Sequence, residues 1–95
     1  MPPDSELQWH RDAAEDFAEL VARRSDQKAV RECVEHQLFA LADNPDLGTK
    51  WDAPGSLYHY LFQCKDGETV LYIRVVFERL LSGKLGIAGC STVIF

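Results

Sequence analysis

Along the chain, apolar residues recur first with a period of two, then of three to four, then of two again, and the changes of period lay out the elements. Leu7 and Trp9 alternate with Gln8 and His10, as in a short strand with one buried face. Ala14, Phe17, Leu20 and Val21 then form a helical stripe. Asp12 and Glu15 have the spacing of a capping residue and its acidic partner, so a first helix is expected from about Asp12 to Arg24. Ser25 or Asp26 can cap a second helix carrying Val30, Val34, Leu38 and Leu41, and Asn44-Pro45 ends it. Joined so tightly, the two helices must form an antiparallel hairpin.

A stretch from Asp46 to Ser56, rich in Gly, Pro and Asp, reads as a loop anchored by Trp51. Leu57 to Cys64 and Thr69 to Phe77 read as strands around Lys65-Asp66-Gly67-Glu68, because Asp-Gly is a strong hairpin signal. A last strand, from Leu85 to Phe95, follows a turn at Ser82-Gly83-Lys84. Taking Asp66-Gly67 as the turn sets Lys65 opposite Glu68, and counting outward pairs Phe62 with Leu71, Tyr60 with Ile73 and Tyr58 with Val75, these three pairs making an apolar face for the helices to cover. The same count sets Leu61 opposite Tyr72 and His59 opposite Arg74 on the other face. Residues 1–5 read as a frayed tail and 6–95 as a single domain. The expected class is α+β: a short N-terminal strand, an antiparallel two-helix hairpin, then a mainly antiparallel three-strand meander.

Composition adds bounds. With 95 residues, 46% of them hydrophobic and 26% charged, one modest core is expected. A chain this small buries only about 60% of its unfolded surface, so a partner can contribute to its stability. The net charge of −5 excludes a general attraction to polyanions, and any nucleic-acid contact must be local. Cys33, Cys64 and Cys90 are odd in number and widely spaced, which predicts reduced, inert thiols in the cytoplasm. No run reaches the ~18 apolar residues of a membrane span, and no basic segment precedes an apolar one at the N-terminus.

Among candidate sites, His59 beside Arg74 is the one with chemistry, since an imidazole next to a fixed cation can hold or activate a phosphate or carboxylate. The plain alternative is a pair of solvent-facing neighbours. Cys33 and His36 have a spacing that metal ligands can use, but Cys64 and Cys90 would have to converge on them, so no metal is expected. Gly83, Gly86 and Gly89 precede no helix, and Ser91 beside Cys90 lacks a strand-turn-helix elbow. Neither a phosphate loop nor a catalytic triad is expected, and no cofactor. Asp12, Glu15, Asp16 and Glu19 read as a solvated helix face. Of the aromatic residues Tyr58, Tyr60, Phe62, Tyr72 and Phe77, most point to the core in this register and are not free to stack on bases.

The order strand, helix, helix, strand, strand, strand in under a hundred residues resembles the RelE/ParE toxins of type II toxin–antitoxin systems. ELQWHRDAAEDFAEL is similar to that family's opening strand and first helix, and ALADNPDLGTKW to its exit from the second helix. GSLYHY resembles the Gly-Leu-Tyr-Arg-x-Arg strand, and IRVVF the Tyr-Arg-Val-Ile-Tyr strand, so the likeness spans roughly residues 6–95. It implies a ribosome-dependent messenger RNA endonuclease or a DNA gyrase inhibitor, neutralised by a cognate antitoxin. Carried over by position, Arg74 matches the basic residue of the third strand, and His59 falls where the second strand usually has one. The ending departs. Where many members carry Gly-His-Arg-Arg-Asp-Val-Tyr, this chain has Gly89-Cys90-Ser91-Thr92-Val93-Ile94-Phe95, without the histidine, the arginines or the tyrosine hydroxyl. The resemblance therefore implies a toxin whose nuclease is weak or degenerate, or a non-catalytic binding module on the same scaffold.

Overall fold

The computed structural model describes residues 7–51 and 56–94. The residues expected as a tail, 1–5, four of those expected in the loop, 52–55, and Phe95, where the last strand is expected to end, lie outside them. In chain order come β1 (Leu7–Trp9), α1 (Arg11–Ala22), α2 (Gln27–Asp43), β2 (Thr49–Lys50), β3 (Leu57–Asp66), β4 (Thr69–Arg79) and β5 (Leu85–Thr92). The strands make one sheet in the order β1-β5-β4-β3-β2. β1 runs parallel to β5 and the other pairs are antiparallel. The α+β class is as expected, with a fifth strand, β2, that is too short to show a period.

One face of the sheet carries the core. Phe62 and Cys64 of β3, Leu71, Ile73, Val75 and Phe77 of β4, and Leu85, Ile87 and Cys90 of β5 are all buried. They meet Val30, Val34, Leu38 and Leu41 of α2 together with Ala13, Leu20 and Val21 of α1. The α1 stripe is thus set by Ala13 and not by Ala14, which is exposed. Phe17 is half-buried and stacks on Trp9 at 5.5 Å between centroids.

The expected capping pair of α1 does not form. The helix begins at Arg11, one residue earlier than predicted, its N-cap His10 makes no side-chain cap, and Asp12 sits in the first turn, where its charge suits the helix dipole. His10 Nε2 instead lies 3.5 Å from Glu78 Oε1. For α2 the cap is Asp26, whose side chain accepts from the Ala29 N–H. Asn44 ends the helix, and Pro45–Leu47 follow as one 3₁₀ turn.

The β3–β4 hairpin turns one residue later than predicted. Asp66 pairs with Thr69, leaving Gly67 and Glu68 as the turn. Gly67 has φ +64° and no non-glycine residue is positive among those described, the pattern of a II′ loop with glycine first. The register shifts by two residues in consequence: His59 faces Val76, and Arg74 faces Leu61. The expected direct pairing of His59 with Arg74 is corrected. A two-residue shift keeps each side chain on its predicted face, because the pleat has a period of two.

Asp66 explains the displaced turn. Its carboxylate accepts from the backbone N–H groups of Ser25 at 3.0 Å and Asp26 at 2.7 Å, docking the hairpin end onto the link between the helices. These donors, Asp26 first, hold the carboxyl below the ordinary aspartate value of 3.8. A depressed acid contributes stability above its unfolded pKa and loses it as pH falls through the folded one, so this contribution should fade below about pH 4. Denaturation curves across that range should show a shallower acid decline for Asp66→Ala than for the natural chain. Equal slopes would remove Asp66 as the cause.

Candidate anion site on the open sheet face

The face turned away from the helices carries Leu57, His59, Leu61 and Gln63 of β3, and Tyr72, Arg74, Val76 and Glu78 of β4. No described helix covers it, so Leu61 at 41% and Tyr72 at 37% stay exposed while Phe62, Leu71 and Ile73 beside them are buried. His59 and Arg74 are diagonal neighbours in this register, a relation that separates side chains by about 7–8 Å at their base.

Trp51 closes that gap. Its ring meets the His59 ring edge-on at 5.5 Å, and the Arg74 guanidinium carbon lies 5.5 Å from the same ring's centroid. Trp51 is delivered by the chain that follows α2. The 3₁₀ turn closes with the Gly48 N–H donating to Pro45 O, Thr49 pairs with His59 and Lys50 with Tyr58, and the Trp51 N–H donates to Leu57 O at 3.0 Å. Gly48 permits this path, because a Cβ there would meet the Phe77 ring, with Cε1 at 2.6 Å. The role of Trp51 as the loop's anchor was predicted. Its contact with both candidate residues was not, and the only signal was a large aromatic residue entering a strand edge.

The electrostatics of this cluster are unusual in one respect. His59 Nδ1 and Arg74 Nε are both buried and have no hydrogen-bond partner. Among the described residues no carboxylate pairs with Arg74, and the nearest acid along its strand face, Glu78, is engaged with His10. Leaving such groups unsatisfied costs about 1–3 kcal/mol each, and neither nitrogen is spent on a protein partner. Ser91 of β5 faces Arg74 from the other side, exposed.

The remaining candidates fall away from this cluster. Thr92 pairs with Ile73 and so belongs to the helix side, where with Asp16, Glu19, Arg23 and Arg24 it lines a cleft beside buried Cys90. Burial, reinforced by Asp16, pushes the Cys90 thiol up to about 12, which makes it no nucleophile at neutral pH. Cys33 and Cys64 are joined in a disulfide with Cα atoms 6.0 Å apart, so the expectation of three reduced thiols is corrected. The cause is the packing of α2 on β3, which brings two residues 31 apart in sequence side by side. The bond also removes Cys33 as a metal ligand, and no metal-binding group of three forms among the described residues. No described helix is long and apolar enough to cross a membrane. Compared with protein-family models, curated proteins and solved structures, the chain matches none.

Proposed function

We propose that the chain is a toxin-like component of a type II toxin–antitoxin pair, on a RelE/ParE-type scaffold. Its open sheet face grips an RNA phosphate through Arg74 with His59 beside it, and messenger RNA cleavage is weak or lost. One observation carries the reading: a cation and an imidazole share an uncovered face, lean on one tryptophan and have no protein partner for their buried nitrogens. The order of the elements, with two helices on one face of the sheet, supports the scaffold.

Weak chemistry follows from what stands around Arg74. Cleavage next to a 2′-hydroxyl needs a base for that hydroxyl, an acid for the leaving oxygen and charge to offset the phosphorane. Loss of any one costs about two or more orders of magnitude. Arg74 supplies charge and His59 one proton carrier, while the facing position on β5 is a serine. A toxin of this kind acts in the cytoplasm and is held by a cognate antitoxin. Exposed Phe39 on α2 and Leu61 and Tyr72 on the sheet offer apolar surface for that partner.

The test is a cleavage assay on translating ribosomes with the natural chain, Arg74→Ala and Ser91→Arg. Ser91 is the position to restore, because it faces Arg74, whereas an arginine at Thr92 would start from the helix side of the sheet. The natural chain should cut at least a hundredfold less than Ser91→Arg, and Arg74→Ala should abolish what remains. Vigorous cutting that survives Arg74→Ala would place the active site elsewhere. No cutting by any of the three, with growth still arrested, would favour gyrase inhibition or a purely binding module.

A further inference from the structure

We infer that Trp51 is the positioning residue of this site: it fixes the Arg74 guanidinium and the His59 ring while leaving their hydrogen-bonding groups unspent on the protein. The inference rests on the proposed anion-binding role of Arg74 for its functional consequence, but not for its geometry.

Where a carboxylate holds an arginine, the pair spends both the charge and the N–H donors that a phosphate would need. Arg74 has no such pair among the described residues. What meets its guanidinium is the indole of Trp51, 5.5 Å away. A cation–π contact attracts through the ring's quadrupole and uses no donor, so the guanidinium is restrained without spending any of its N–H groups on a protein acceptor. The buried, unpartnered Nε is what such a hold leaves behind.

His59 is treated the same way. The ring of Trp51 meets it edge-on, and Nδ1 is left without a partner. One side chain therefore sets two neighbours that the strand register alone places only diagonally. Trp51 can do so because the chain leading into it is fixed: β2 just before it is paired to β3, and its own N–H is bonded to Leu57 O. A restrained side chain loses less entropy when it binds, so the hold raises affinity without touching the ligand.

The experiment follows the Arg74 Nε–Hε signal by ¹⁵N NMR in the natural chain, Trp51→Phe, Trp51→Leu and Trp51→Ala, alongside binding of a labelled single-stranded RNA oligonucleotide. In the natural chain the signal should be ring-shifted and protected from solvent exchange. Trp51→Phe should keep most of both, while Trp51→Leu, which fills apolar space without a ring, should lose both along with Trp51→Ala. RNA affinity should fall about tenfold in Trp51→Leu and Trp51→Ala and little in Trp51→Phe. In an Arg74→Ala background, removing the ring should cost clearly less, since only His59 is left to be positioned.

An Arg74 signal unchanged in folded Trp51→Leu would overturn the inference. So would an equal loss of affinity from Trp51→Leu with and without Arg74. If the natural chain binds no RNA, the proposed function fails, but the shift and exchange of the Arg74 signal still decide whether Trp51 holds it.

Discussion

Reducing the Cys33–Cys64 disulfide should lower the unfolding free energy by about 3–4 kcal/mol and the melting temperature by on the order of 15 °C. The two cysteines are 31 residues apart, and the bond removes from the unfolded chain the freedom of a loop of that size. In the folded chain it adds little that packing does not already supply. Val30, Val34, Leu38 and Leu41 hold α2 against the sheet, and Tyr60 Oη donates to Gln37 Oε1 at 2.8 Å across the same interface. The fold should therefore survive reduction while its margin shrinks, and the spectrum of the native state should hardly change. Paired denaturation curves with and without a phosphine reductant measure this, and Cys33→Ala should reproduce the reduced curve. Identical midpoints for the oxidised and reduced chains would show that the bond carries no stability. The result bears on the proposed setting, because the cytoplasm keeps most thiols reduced and a toxin working there must stand on its core alone.

Much of this architecture is legible along the chain, and the parts that are not share a cause. The stripe of α2 appears residue for residue, since Val30, Val34, Leu38 and Leu41 answer only to the helix's own period. The sheet's two faces are legible for the same reason, and Phe62, Cys64, Ile73 and Val75 lie where alternation puts them. What fails is whatever depends on a distant contact. Asp66 reads as a turn residue from its neighbours, yet its carboxylate is bound about forty residues away at Ser25 and Asp26, which keeps it in the strand. The disulfide depends on how α2 lies on β3, and spacing carries no trace of that. In β5 one more residue intrudes: Val76 pairs with Gly89 and Phe77 with Ile87, so Ala88 is bulged, and no glycine or proline at that position marks it. The site shares this split. His59 and Arg74 are assigned the correct face by parity, but their mutual geometry is set by Trp51, which arrives from outside the hairpin.

Gly48→Ala should destabilise the chain by about 1–3 kcal/mol and disturb the site as well, although Gly48 has an ordinary extended backbone. The reason is space, not conformation. A Cβ there would press on Cζ of Phe77 and stand 2.6 Å from its Cε1, with His59 O at 3.3 Å on the other side. Phe77 cannot yield, because it is fully buried and stacks on Tyr58 with centroids 5.6 Å apart. The segment from Pro45 must lift instead, and with it β2 and Trp51, so the contacts of the indole with His59 and Arg74 should loosen together. Gly89→Ala is the comparison, since a Cβ there meets Val76 at 3.6 Å, an ordinary contact on the open face. Thermal unfolding with tryptophan fluorescence should show a drop of roughly 5–15 °C and altered native emission for Gly48→Ala. For Gly89→Ala both should stay near the natural chain's values. If Gly48→Ala melts like Gly89→Ala with unchanged emission, the segment does not press on Phe77, and close approach is not what seats Trp51 over the site.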